Sequence, residues 1–189
     1  ITTAGYEANG IVNVGSENRT TVSGSIKTAG DGAFGIYNEG NENITTVSGS
    51  IKTGGVVPGT GEAAHGIANE GNGNETTVSG TGSIETAGDG ALGIANIGVG
   101  NKTTVSGSIK TGDVVAGTGD AAWGIYNLGN DNETTVSGSI KTAGETADGI
   151  LNRGNENRTT VSDTGSIETA GHGAVGIANI GNENETTVS

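Results

Sequence analysis

The apolar residues of this chain recur at long, regular intervals and follow no local helical period. A unit that begins at Ile1 returns six times, with successive lengths of 25, 25, 33, 25, 31 and 27 residues. Self-similarity at such a period is the signature of a solenoid or repeat array. The apolar columns are Ile26, Ile51, Ile84, Ile109, Ile140 and Ile167; Ile11, Ile36, Ile67, Ile94, Ile125, Ile150 and Ile177; and Val22, Val47, Val78, Val105, Val136, Val161 and Val188.

Each unit contains three short extended segments separated by Gly- and Asn-rich turns. The segments are Ile-Lys/Glu-Thr, Gly-Ile-x-Asn and Thr-Thr-Val-Ser, and they are dominated by the β-branched residues that strands prefer. The sequence therefore predicts an all-β parallel β-helix (β-solenoid) with three short strands per coil and about seven coils of 25–33 residues. Residues 1–189 are expected to form one array, with coils stacked about 4.8 Å apart. Alternation places Thr45 and Val47 inside and Thr46 and Ser48 outside.

Extra residues occur at only two points of the unit. Six are inserted within residues 54–62 and again between Thr111 and Ala122, and a Thr-Gly pair is inserted at residues 81–82 and 164–165. Because the rest of each unit keeps its pattern, we expect these insertions to project as loops at two corners of the solenoid.

Two columns of Asn run beside the apolar columns, and we interpret them as structural ladders. A side-chain amide both donates and accepts, so stacked Asn can bond to one another and to turn backbone groups. The second column also lies in Asn-x-Thr, the acceptor pattern for N-glycosylation, which leaves modification open as a second interpretation. The columns are Asn13, Asn38, Asn69, Asn96, Asn127, Asn152 and Asn179, and Asn18, Asn43, Asn74, Asn101, Asn132, Asn157 and Asn184.

One outward column is a candidate binding surface. Its Thr residues pair with Ser two positions later, which predicts a flat grid of about 6.8 Å by 4.8 Å. The grid is similar to the Thr-x-Thr ladders of β-solenoid ice-binding proteins, and this likeness implies ice as an alternative ligand. The column is Thr21, Thr46, Thr77, Thr104, Thr135, Thr160 and Thr187.

Charge limits the classes of partner. The net charge is −13 with only 8 Lys and Arg, so nucleic acid and anionic membranes would repel the chain. The sequence has no apolar run that could insert into a membrane. Such an acidic surface suits an extracellular, cation-rich setting. Because Ile1 already lies inside a repeat and Ser189 falls short of the next one, we expect further repeats to flank the chain.

The acidic turns, such as residues 40–43 and 130–133, offer oxygen ligands that could bind calcium weakly. No other cofactor is expected. The outward column Lys27, Lys52, Glu85, Lys110, Lys141 and Glu168 mixes both signs of charge, and we interpret it as a solvated face.

No constellation in the sequence predicts catalysis. A β-helical polysaccharide lyase or hydrolase would need clustered Asp with Arg or Lys, whereas nearly every polar residue here copies its neighbour one coil away. His65, Trp123 and five other residue types share one variable position, so His65 and His172 are not expected to form a catalytic pair. Trp123 and Tyr126 are interpreted as at most a local contact patch. We therefore expect that the protein is not an enzyme.

The pattern Gly-Ser-Ile-x-Thr-x-Gly-x-x-Ala-x-Gly-Ile-x-Asn-x-Gly, at residues 24–40, resembles the passenger repeats of bacterial autotransporter-type and related giant surface proteins. The resemblance implies a right-handed, three-sided β-helix that is exported to the cell surface and serves as an adhesin, stalk or fibre. Its expected partners are copies of itself or flanking repeats through the coil ends, and a host or neighbouring cell surface.

Overall fold

The computed structural model describes residues 1–54, 63–112, 121–162 and 164–189. These residues form 21 strands and no helix, and the strands belong to three parallel sheets of seven strands each. The chain makes about six turns with three strands per coil, so the predicted β-solenoid is confirmed. No helix in the described residues is long and apolar enough to cross a membrane.

Each sheet takes one strand from every coil. Sheet A contains β1 (Thr2–Ala4), β4 (Ser25–Ala29), β7 (Ser50–Thr53), β10 (Ser83–Thr86), β13 (Ser108–Thr111), β16 (Ser139–Ala143) and β19 (Ser166–Ala170). Sheet B contains β2 (Ile11–Val14), β5 (Ile36–Glu39), β8 (Ile67–Glu70), β11 (Ile94–Ile97), β14 (Ile125–Leu128), β17 (Ile150–Arg153) and β20 (Ile177–Ile180). Sheet C contains β3 (Arg19–Val22), β6 (Ile44–Val47), β9 (Glu75–Val78), β12 (Lys102–Val105), β15 (Glu133–Val136), β18 (Arg158–Val161) and β21 (Glu185–Val188).

Identical residues face one another between neighbouring coils. Ile84 pairs with Ile51 on one side and Ile109 on the other, and Val105 pairs in the same way with Val78 and Val136. A one-residue slip would turn every inward Ile or Val toward solvent, so the apolar pattern itself specifies this register.

The core is a narrow column of stacked Ile and Val. In the inner coils Ile67, Ile94, Val78 and Val105 have no exposed surface, and a column of Ala that includes Ala91 fills the corner between sheets A and B. Each side chain packs against its own copies above and below, so few apolar residues are enough to build a close-packed interior.

Inward Thr residues close the corner between sheets A and B. Thr28 Oγ1 donates to the carbonyl of Ala33 at 2.7 Å, and Thr86 Oγ1 donates to the carbonyl of Ala91 at 2.8 Å. Thr53 makes the equivalent bond to Ala64 across one of the six-residue insertions. The corner therefore keeps the same internal bond whether or not residues are inserted.

Most of each long insertion lies in residues 55–62 and 113–120, outside the described residues, so the loops predicted there stay a prediction. The shorter Thr-Gly insertion at the corner between sheets C and A forms a turn. Thr81 Oγ1 donates to the carbonyl of Ser48 at 3.1 Å, and the N–H of Gly82 donates to the carbonyl of Ser79 at 2.8 Å. Thr164 and Gly165 repeat both bonds with Ser137 and Ser162.

Candidate functional site

The first Asn column, on sheet B, is an uninterrupted amide ladder inside the solenoid. Asn69 Nδ2 donates to Asn96 Oδ1 at 2.8 Å and to the inward Thr76 Oγ1 at 3.0 Å. Asn96 repeats both bonds one coil further on, with Asn127 and Thr103. Side chains of this column in the inner coils are at most 1 % exposed. The ladder thus links each coil to the next and sheet B to sheet C.

The second Asn column bonds to backbone. The N–H of Asn74 donates to Asn101 Oδ1 at 2.9 Å, and the N–H of Asn101 donates to Asn132 Oδ1 at the same distance. These three side chains are at most 1 % exposed. A glycosylating enzyme could not reach their amide nitrogens in the folded chain, so the geometry favours the structural interpretation over modification.

A third polar column was missed by the sequence analysis. Asn41 Oδ1 accepts the N–H of Asn72 at 2.9 Å, and Asn72 Oδ1 accepts the N–H of Val99 at 2.8 Å. Asn130 and Asn155 act in the same way in later coils. The signal was present as a recurring Asn two positions before the second column, replaced by Ser16 in the first coil and by Val99 in the fourth.

The outward Thr column lies in register across sheet C. Thr104 pairs with Thr77 on one side and Thr135 on the other. The inner members of the column are half-buried. Two residues earlier on the same outward side runs a second column: Arg19, Ile44, Glu75, Lys102, Glu133, Arg158 and Glu185. Sheet C therefore presents Thr hydroxyls beside a column of mixed charge.

Opposite charges pair between neighbouring coils on two outer faces. On sheet A, Lys52 Nζ lies 3.1 Å from Glu85 Oε2, and Lys141 Nζ lies 2.6 Å from Glu168 Oε2. On sheet C, Arg158 Nε lies 3.0 Å from Glu185 Oε2. The paired side chains are 44–67 % exposed, so each pair contributes little stability, about 0–1 kcal/mol. Their main effect is to relieve like-charge repulsion between coils.

The acidic turns place a carboxylate at the corner between sheets B and C in five of the seven coils, and Gly73 and Gly100 occupy the same position in the other two. Glu42, Asp131 and Glu156 occupy the left-handed backbone region, with φ of 57°, 56° and 58°. Among the described residues, no group of three or more His, Cys, Asp or Glu side chains is arranged to hold a metal ion. Weak calcium binding at these turns stays a prediction.

The variable position that holds His65 and Trp123 lies at the corner between sheets A and B. Polar residues at this position make the same hydrogen bond in different coils. Asn9 Oδ1, His65 Nδ1 and Asp148 Oδ1 each accept the backbone N–H of the residue one coil further on, at 2.7, 3.1 and 2.7 Å. His65 also stacks on Phe34, with ring centroids 5.0 Å apart and an angle of 4° between the planes. Burial lowers the pKa of His65 to about 4, so the imidazole is neutral at pH 7.

Four aromatic residues form what we call the aromatic face, on the outside of sheet B and its corner with sheet A: Phe34, Tyr37, Trp123 and Tyr126. They pack as two pairs against a small cluster of Ala68, Leu92 and Ala95. The ring centroids are 5.7 Å apart in the first pair and 4.9 Å apart in the second. Only the second pair was predicted as a contact patch from the sequence. The first pair was not predicted, because Phe34 and Tyr37 are more than 80 residues away from the second pair in sequence.

Comparison with known proteins finds no matching family model, no matching curated protein and no matching solved structure. The structure establishes a β-solenoid built from stacked copies of one repeat.

Proposed function

We propose that this chain is a non-catalytic segment of an extracellular structural or adhesive fibre. The main support is that the hydrogen-bonded sheets and the Asn ladder are continuous. All three sheets and the first Asn column run through every coil, with identical residues in register. A stack held in this way has no hinge within its sheets, and its repeat can be extended without a change in geometry.

The resemblance to bacterial autotransporter-type passenger repeats supports the same role. Those proteins use repetitive β-helices at the cell surface, and the net charge of −13 suits exposure to a cation-rich medium. We therefore place the chain outside the cell, where its partners are a host or neighbouring cell surface and copies of its own repeat.

Assembly along the axis is part of the proposal. In the Asn ladder Nδ2 always donates toward the C-terminal coil, so every coil offers an acceptor on one side and a donor on the other. Flanking repeats or a second copy could continue the ladder in one direction only. Parallel strand addition of this kind is a common mode of association between β-proteins.

Electron microscopy of the purified chain at high concentration tests this assembly. We expect unbranched filaments of uniform width, with an axial repeat of about 4.8 Å in their diffraction. Dispersed single particles at every concentration would contradict end-to-end assembly.

Ice binding is the second candidate, because the seven Thr residues of sheet C lie in register. The charged column beside them argues against it, since ordered water on an ice-binding face would have to extend over ionic groups. Thermal hysteresis of the chain decides between the two. Hysteresis that disappears in Thr104→Glu would favour ice binding, and its absence in the unmodified chain would exclude it.

A further inference from the structure

The aromatic residues are concentrated on one face although the fold does not require them there. The sequence has one Phe, one Trp and three Tyr, and all but Tyr6 lie on the aromatic face. The outward position of sheet B that holds Tyr37 and Tyr126 holds Ala68 and Ala95 in the coils between them. Because the solenoid accepts Ala at this position, the rings are not needed to complete a coil.

The side chain of Tyr37 reaches from β5 to the neighbouring strand β8. Tyr37 pairs in register with Ala68, and its hydroxyl donates to Glu70 Oε2 at 2.9 Å on the same neighbouring strand. The ring therefore leans across Ala68, which is only 3 % exposed. Tyr126 pairs in register with Ala95, which is 1 % exposed. Both Tyr side chains remain partly exposed, so they present surface to solvent above an Ala floor.

The two Tyr residues are three coils apart, on β5 and β14, a separation of about 14 Å at 4.8 Å per coil. Glu39 and Glu70 are exposed on the same outer face of sheet B as Tyr37. The face thus combines separated aromatic surfaces with hydrogen-bond acceptors. Sugar rings of a linear glycan have matching chemistry, because they offer apolar C–H faces for stacking and hydroxyl groups as donors.

We propose that the aromatic face binds a neutral linear glycan, with sugar rings stacked on Tyr37 and on the Trp123–Tyr126 pair, and with Glu70 accepting a sugar hydroxyl. The net charge of −13 disfavours anionic glycans, because the flanking carboxylates would repel them. This inference deepens the adhesive part of the proposed function and rests on it for its biological setting.

Trp123 makes the test direct, because it is the only Trp in the chain and lies within the aromatic face. Its fluorescence is followed while the chain is titrated with hexasaccharides of β-1,4-linked glucose, mannose, xylose and N-acetylglucosamine. We expect a saturable change with at least one of them. We also expect Tyr37→Ala and Tyr126→Ala each to weaken that binding by about tenfold, the loss typical of one aromatic contact.

Tyr6→Ala is the matched control, because Tyr6 is 77 % exposed and belongs to neither aromatic pair. Its affinity should equal that of the unmodified chain. Circular dichroism checks that each variant keeps its β-structure. Tyr37→Phe keeps the ring and loses only the bond to Glu70, so it should retain most of the affinity.

No saturable change with any of the four sugars, or equal affinity in Tyr126→Ala, would overturn the proposal. The filament assay is independent, so a chain that forms filaments but binds no sugar would refute this inference alone.

Discussion

At the scale of single residues, His65 couples folding to pH. Its neutral Nδ1 accepts the N–H of Leu92 and its pKa is lowered to about 4, from an unfolded value of about 6.5. Between pH 4 and pH 6.5, His65 is protonated in the unfolded chain and neutral in the folded chain. The stability contributed by neutral His65 is therefore complete above pH 6.5 and is lost as the pH falls toward 4.

We therefore expect His65 to lower the free energy of unfolding by about 2 kcal/mol between pH 7 and pH 5. Urea denaturation at the two pH values measures this change. His65→Leu is the control, because Leu92 occupies the same column one coil away. The variant should lose that part of the pH dependence. Equal pH dependence in both proteins would show that His65 is not the group responsible.

A substitution at Asn96 tests the amide ladder of the first Asn column. Asn96→Ala removes two donated bonds and the acceptor of Asn69 Nδ2, and it leaves the buried amide of Asn69 short of a partner. We expect the free energy of unfolding to fall by about 3 kcal/mol. The exposed Asn72 donates nothing to this ladder, so Asn72→Ala should cost less than about 1 kcal/mol. Similar losses in both variants, measured by urea denaturation, would contradict a special role for the inner ladder.

Sequence reasoning located both Asn columns because each repeats without interruption. It could not assign amide-to-amide bonds to one column and amide-to-backbone bonds to the other, since this depends on which side of the turn each Asn occupies. The acceptor role of His65 was also missed. Asn, His and Asp share no obvious pattern until the chain is folded and each is seen to meet the N–H of the next coil.

At the scale of strands and coils, glycines set how closely neighbouring coils approach. A Cβ added to Gly93 would contact the methyl group of Ile109 and would lie 2.5 Å from the carbonyl oxygen of Gly124 on the next coil. A neighbouring backbone cannot move away without breaking sheet hydrogen bonds. This position must therefore stay free of a side chain wherever a coil follows.

Gly93→Ala should lower the free energy of unfolding by about 3 kcal/mol, or prevent folding. Gly176 occupies the same position in the last coil, where an added Cβ meets nothing within 4 Å. Gly176→Ala should therefore be nearly neutral. Thermal unfolding followed by circular dichroism compares the two variants, and equal effects would argue against close coil stacking as the reason for this glycine column.

The strand pattern was predictable because three β-branched segments recur in every unit and their spacing leaves room only for short turns. The register followed from the Ile and Val columns. Handedness, which came only from the resemblance, stays a prediction. The aromatic face could not be predicted, because it combines residues from coils that are far apart in sequence and depends on the direction in which each ring leans.

At the scale of the whole molecule, the acidic surface and the stacked core together favour an elongated, soluble form. The charge pairs on sheets A and C relieve part of the repulsion between neighbouring coils, while the net charge of −13 discourages side-by-side association. Further backbone hydrogen bonds can be added only at the two ends of the solenoid, so association along its axis is favoured.

We expect the repeat to build a continuous rod, and small-angle X-ray scattering from tandem copies measures its length and width. Joining copies through Gly-Ser restores the repeat between Ser189 and Ile1. The maximum dimension should then grow by about 34 Å per added copy, seven coils at about 4.8 Å, while the cross-section stays constant. Tandem copies joined by about twenty Gly and Ser residues serve as the flexible control. A cross-section that widens with copy number, or scattering equal to that of the flexible control, would contradict the account.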